Sequence, residues 1–149
     1  MSHSYICCAM HCVFSTKERK SWINPELRDS LFPYFGGVAK ANRIKMLAIG
    51  GTENHVHLLL SLSSKPISKA LQLLKGGTSK WIHDKYPNYK HFAWQEGYGA
   101  FSVSASHIGT TIDYIQKQEE HHRTKTFQEE FVTFLKKHNI EYDEKYIWG

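Results

Sequence analysis

Two short stretches of this sequence carry side chains that could do chemistry together. The first is Glu53-Asn54-His55-Val56-His57-Leu58-Leu59-Leu60. On a β-strand, residues two apart point to the same face. His55 and His57 then project together, while Val56, Leu58 and Leu60 turn the other way into a core. Two neutral imidazoles on one rigid strand can hold one metal ion. They could equally be a polar outer sheet face, since short motifs match often by chance. The second stretch is Asp113-Tyr114-Ile115-Gln116-Lys117-Gln118. Four residues along a helix return to the same face, which puts the Tyr114 phenol beside the Gln118 amide, whose oxygen could ligate a metal. Alone, this stretch reads as an amphipathic helix with a half-buried tyrosine and a solvated glutamine.

Other candidates weigh less. Cys7-Cys8-Ala9-Met10-His11-Cys12 contains zinc-type residues. On a strand, however, Cys7 and Cys8 point to opposite faces, and no second Cys/His pair lies at zinc-finger spacing. Ordinary buried thiols are the expectation. His121 and His122 follow Gln118 by one turn. Contact with metal or phosphate competes there with the simpler role of a charged helix end, since His is favourable near a C-terminus. Gly97 and Gly99 lack the remaining glycine spacing of a phosphate loop. Tyr98 and Phe101 could stack on bases, or serve as subunit contact and core.

These residues need elements to carry them. Ser4 to Ser15 reads as a strand apolar on both faces, suited to the middle of a sheet, and Thr16 to Trp22 as a polar loop. Asn24-Pro25 reads as helix cap and first helical position. That helix should reach about Ala41, weakened or bent by Pro33 and Gly36-Gly37. Ile44 to Ile49 and His55 to Leu62 read as a hairpin turned at Gly50-Gly51. From Pro66 to Tyr86, Ile67, Ala70, Leu71, Leu74, Trp81 and Ile82 recur at helical spacing, leaving Lys65, Lys69 and Lys80 on the opposite side. Phe92 to Val103 is strand-like but broken by glycines, so a bulge or two short strands is expected. A third helix covers about Ile108 to His122. A fourth opens at Thr126-Phe127-Gln128-Glu129, which has capping-box spacing, and ends near Asn139. The aromatic tail from Ile140 to Gly149 should pack on the body. This order predicts an α+β fold, a ferredoxin-like (RRM-like) antiparallel sheet with helices on one face plus C-terminal helices. A single domain over residues 1–149 is expected.

The bulk properties set limits. At 149 residues the chain can bury a real core. No apolar run is long enough for a membrane span, and the N-terminus lacks a basic region and a convincing cleavage site, so no signal peptide is expected. Three cysteines, odd in number and close together, argue against a secreted disulfide framework and for a reducing cytoplasm. The formal charge of +5 suits a polyanionic partner, though many soluble proteins are mildly basic.

Taken together, the blocks resemble the small insertion-sequence transposases of the HUH class with a single catalytic tyrosine, often called TnpA-type. The resemblance runs over nearly the whole chain. It begins at Phe14-Ser15-Thr16-Lys17 and Asn54-His55-Val56-His57-Leu58-Leu59, then passes Leu74-Lys75-Gly76 and Trp94-Gln95-Glu96-Gly97-Tyr98-Gly99-Ala100-Phe101. It continues through Tyr114-Ile115-Gln116-Lys117-Gln118-Glu119-Glu120-His121-His122 and closes at Glu141-Tyr142-Asp143. On this resemblance His55 and His57 match the paired metal-binding histidines, Gln118 the third ligand and Tyr114 the nucleophile.

The resemblance implies a prokaryotic cytoplasmic enzyme at nucleoid DNA. It would cut and rejoin single-stranded DNA at the hairpin-bearing ends of a mobile element, through a 5′-phosphotyrosine. It also implies a homodimer. A free tyrosine, with a pKa of about 10, is a weak nucleophile near neutral pH. A divalent cation on the scissile phosphate, Mg²⁺ or Mn²⁺ for such a mixed N/O set, would help it. No small-molecule cofactor is expected. Lys65, Lys69, Lys80 and Arg123 are candidate DNA-backbone contacts, a solvated face being the plain alternative for the lysines. Rival readings are a replication initiator or relaxase, which share the chemistry but are usually larger, and a non-catalytic nucleic-acid-binding module. A dimer with shared active sites is expected, although the sequence alone does not settle whether each site is assembled within one chain or across two. The polar segment Ser102 to His107 could let the tyrosine helix reach a neighbouring subunit, and the Phe92–Val103 strand offers an edge for pairing.

Overall fold

A computed structural model describes residues 3–149. Its elements in chain order are β1 (Ala9–Ser15), α1 (Pro25–Ala41), β2 (Lys45–Gly51), β3 (His55–Ser61), α2 (Ile67–Lys85), β4 (Gly99–Val103), α3 (Ile108–Gln116), α4 (Gln118–His121) and α5 (Phe127–Lys137). The strands form one antiparallel sheet in the order β2-β3-β1-β4, the ferredoxin-like arrangement that the element order predicts.

Alternation along β3 divides the sheet into two unlike faces. Val56, Leu58 and Leu60 join Cys12 and Phe14 of β1 in the main core, against Leu27, Leu31 and Phe35 of α1 and Leu71, Leu74 and Ile82 of α2. The opposite face carries His11, Val13, His55, His57, Leu59 and Phe101, and it is covered too. Val13 and Phe101 pack with Phe127, Phe131 and Leu135 of α5, and Leu59 packs with Ile115 of α3. The expectation of helices on one face is therefore corrected: α1 and α2 cover one face, and the C-terminal helices cover the other. Tyr142, Ile147 and Trp148 of the tail pack against the α5 cluster, as expected.

Several boundaries differ from the sequence reading for physical reasons. β1 begins at Ala9, leaving Cys7 and Cys8 exposed; only Cys12 is a buried thiol. α1 runs unbroken through Pro33. That proline is on the exposed side, so the carbonyl it frees can meet water, while Leu27, Leu31, Phe35 and Ala39 anchor the other side. Gly50 and Gly51 belong to β2 rather than to the turn, which is residues 52–54 and is closed by Thr52 N–H donating to the His55 carbonyl at 3.1 Å. Of Phe92 to Val103 only the last five residues form β4. The carbonyls of Gln95, Glu96 and Gly97 instead accept from the Lys75 ammonium at 2.6, 3.1 and 3.1 Å, so they need no partner strand. Burial lowers the Lys75 pKa to about 8. The third predicted helix breaks at Lys117 into α3 and α4. No helix among the described residues is long and apolar enough to cross a membrane.

Candidate active site

β3 lies between β2 and β1, so His55 and His57 stand on a strand laddered on both sides, and both are fully buried. Their outer ring nitrogens are held from behind. His55 Nδ1 lies 2.9 Å from Asn54 Oδ1 and 3.0 Å from Thr52 Oγ1. Nδ1 is thus engaged on one side of the ring, and Nε2 on the other side faces inward. His57 Nδ1 lies 2.7 Å from His11 Nε2, and the two residues sit on neighbouring strands of the same face. Burial lowers the His11 pKa to about 3, with the neighbouring His57 adding to it, and lowers the His57 pKa to about 4. Both rings are therefore neutral near pH 7, the form that can donate an electron pair to a metal.

The helices bring the rest. α3 approaches β2 so closely at Gly50 that an added Cβ would lie 1.9 Å from the Ile115 carbonyl oxygen. Gly50 pairs with His57 across the ladder, so this contact sets α3 directly beside the histidines. Tyr114 is half-buried, and its hydroxyl donates to Glu130 Oε2. The helix break at Lys117 leaves Gln118 buried, with its amide nitrogen donating to the Tyr114 carbonyl at 3.3 Å. Gln118 Oε1 lies 3.2 Å from His55 Nε2 and 3.2 Å from His122 Nε2. The Tyr114–Gln118 neighbourhood expected from helical spacing is thus present, although the helix between them is not continuous.

Glu130, on α5, was not singled out by the sequence reading. Its Oε1 lies 2.9 Å from His57 Nε2, 3.1 Å from His122 Nε2 and 3.5 Å from His55 Nε2. Burial raises its pKa, but hydrogen bonds from His122, His55 and His57 outweigh this and hold it below the usual carboxylate range. Burial lowers the His122 pKa, yet Glu130 outweighs burial there and the net shift is upward. The Tyr114 phenol is pushed up by burial and by its bond to Glu130. His122 therefore joins the cluster instead of being a solvated helix end. His121 stacks on the Tyr114 ring at 4.4 Å between centroids, and its buried Nε2 has no hydrogen-bond partner.

His55, His57, His122 and Glu130 each present a ligand atom, and these atoms lie within 4.8 Å of one another. Ligand bonds of about 2.1 Å to one ion place donors no more than about 4.2 Å apart, so the set needs only a small inward adjustment to fit a divalent metal. Among the described residues no group with a cysteine does so. The candidate DNA contacts are scattered. Lys69 and Lys80 are exposed on α2 and Lys65 just precedes it, on the far side of the sheet from Tyr114. Lys80 pairs with Asp84 at 2.8 Å. Arg123 is exposed and borders a cleft beside Gln118, together with Arg28 and Lys117.

The chain that builds this cluster on a ferredoxin-like sheet has relatives among known proteins. Residues 4–118 match the family described as "Transposase IS200 like", and the chain belongs to that family; it is a transposase. It is 25% identical over 116 residues to the ISDra2 transposase TnpA of Deinococcus radiodurans, covering 74% of this chain and 83% of that protein. Among solved structures it is similar to a Deinococcus radiodurans protein assigned as a transposase. The TM-score is 0.64 and the identity 24%, over 79% of this chain and 96% of the other. It is also similar to a REP-associated tyrosine transposase bound to a REP hairpin. There the TM-score is 0.57 and the identity 16%, over 77% of this chain and 68% of the other. The matched family region ends at Gln118, so His121, His122 and Glu130 lie beyond it.

Proposed function

We propose that this transposase cuts and rejoins single-stranded DNA at the ends of its element through a 5′-phosphotyrosine on Tyr114. His55, His57 and Gln118, joined by His122 and Glu130, would hold the divalent ion. One observation carries the reading. The Tyr114 hydroxyl donates to Glu130, and the other oxygen of that carboxylate lies 2.9 Å from His57 Nε2. The nucleophile and the histidine pair are thus joined through a single side chain.

The residues divide the work. His11, Asn54 and Thr52 fix the histidine rings. Glu130 Oε2 orients the phenol and receives its proton as the Tyr114 oxygen bonds to phosphorus. The bond from phosphorus to the 3′ oxygen breaks, and that oxygen leaves as a hydroxyl after taking a proton from water. Attack by a DNA 3′-hydroxyl on the phosphotyrosine reverses these steps without an energy source, so one site serves cutting and joining. A divalent ion on the scissile phosphate supplies charge withdrawal. Three imidazoles beside a carboxylate favour Mn²⁺ over Mg²⁺, which prefers oxygen ligands.

The substrate is a hairpin-bearing strand, a reading supported by the hairpin held by the REP-associated relative. Arg123 lies where it could meet the cleaved strand, and Lys65, Lys69 and Lys80 where they could meet a more distant part of the DNA. The chain acts as a single domain over residues 1–149 and as a homodimer paired through the β4 edge of the sheet, on nucleoid DNA in a prokaryotic cytoplasm. The test is adduct formation. Labelled hairpin-bearing single strands should become covalently attached in Mn²⁺, and chelator or Tyr114→Phe should abolish the attachment. An adduct that survives either treatment contradicts the reading.

A further inference from the structure

A second cleft of about 420 Å³ opens beside Tyr114, within the range of small-ligand pockets. Its composition is not that of the metal cluster. Half-buried Phe134 lines it, backed by the buried Phe101 ring on which it stacks, with ring centroids 5.3 Å apart and 20° between planes. Ser104, from the connection between β4 and α3, and Thr111 of α3 bring hydroxyls to it, and Lys137 of α5 borders it. Tyr114 and His11 line it as well, so it is continuous with the site.

We propose that this cleft seats one unpaired DNA base, that of a nucleotide flanking the scissile phosphate. The proposal rests on Tyr114 being the nucleophile. Aromatic rings offer stacking to any base, and hydroxyls can meet its polar edge. A phosphate subsite would call for several fixed cations, yet Lys137 is the one lysine or arginine among the lining residues. The Tyr114 ring links cleft and cluster. A strand whose phosphate meets the Tyr114 oxygen carries its neighbouring base to the mouth of the cleft. Only one of the two flanking bases can enter, because the His121 ring already stacks on one face of Tyr114 and denies that face to the second base.

The experiment uses the full-length protein with Mn²⁺ and a hairpin-bearing single strand whose cleavage position has been mapped. The base on each side of the scissile phosphate is removed in turn, leaving an abasic sugar. Adduct formation should fall roughly ten-fold for one flank, the scale of losing one base–aromatic stack, and stay unchanged for the other. Thr111→Trp, which fills the cleft, should lower cleavage of the intact strand by a similar factor and make the protein indifferent to the abasic change. Should that variant not fold, the wild-type comparison decides alone. Indifference at both flanks, equal losses at both, or a folded Thr111→Trp protein that keeps the wild-type response overturns the proposal. Absence of any Tyr114 adduct with intact strands overturns the proposed function, and this proposal with it.

Discussion

His55 and His57 sit on a strand paired on both sides, with their rings braced from behind by Asn54, Thr52 and His11. Tyr114, Gln118 and Glu130 arrive on three short helices laid over the same face, with His122 just past the end of α4; the helices are kept there by small apolar clusters and by the close approach at Gly50. The strand half is set by backbone ladders, so its geometry is fixed as soon as the sheet forms. The helical half depends on packing, which can loosen locally while the sheet persists. Damage to the strand half should therefore abolish chemistry at a stroke, whereas damage to the helical half, loss of the Tyr114 hydroxyl itself excepted, should come in degrees.

Beyond the loss of the Tyr114 hydroxyl itself, the largest effect belongs to the strand half. His57→Ala should reduce cleavage by at least about a thousand-fold, the upper scale for losing one electrostatic stabiliser of a transition state. Gel shifts at a stated salt concentration should show DNA binding retained. Near-normal cleavage by this variant would break the comparison.

Next comes Glu130, the hinge between the halves. Glu130→Gln keeps the shape but removes the anionic acceptor for the Tyr114 proton. Cleavage should fall by about a hundred-fold, the lower scale of general-base catalysis, with little change in melting temperature. An unchanged rate would leave Glu130 a packing residue.

Gly50→Ala probes how the helices are seated. Its Cβ would collide with backbone at Ile115, so α3 must shift. Overpacking of this kind costs about 1–3 kcal/mol. Denaturant titration should show that loss, with cleavage reduced more than DNA binding. Wild-type stability and rate together would contradict the close approach.

The smallest effect is that of pH on the metal-free protein. Burial holds His11 at a pKa of about 3 and His57 at about 4, against an ordinary 6.5. Between about 6.5 and these values the unfolded chain binds protons that the folded one refuses, so stability declines as the pH falls. Glu130, held low, acts in the same direction further down, while the raised His122 acts oppositely. Two histidines against one leaves a net loss, and the melting temperature should drop from pH 7 to pH 4. A rise over that range would reverse the assigned burial effects.

The strand half was legible in the sequence because alternation needs no partner to interpret it: His-Val-His followed by three leucines states which side is polar. That this polar side is buried was not legible, since it depends on helices more than fifty residues away. Gln118 was reachable through its spacing from Tyr114. Glu130 was reachable only in hindsight. It follows the capping box at Thr126 and falls on the same helix side as Phe127 and Phe134, a charge within an apolar stripe whose counterparts are distant in sequence. His11 reads as one more residue of an apolar strand until the register of β1 against β3 sets it on the His57 side.

The central claim is that both halves of each site come from one chain, and complementation tests it most directly. The Ser102–His107 connection, which could have carried the tyrosine helix to a neighbour, instead returns Tyr114 to its own chain's Glu130 and His57. Tyr114→Phe protein and His57→Ala protein are mixed under conditions that exchange subunits, and cleavage of a hairpin-bearing strand is measured. Every site in the mixture then lacks either its tyrosine or a histidine, and cleavage should stay absent at all mixing ratios. Recovery of cleavage in the mixture, with neither variant active alone, would mean that the tyrosine is delivered across the dimer, and would contradict the account.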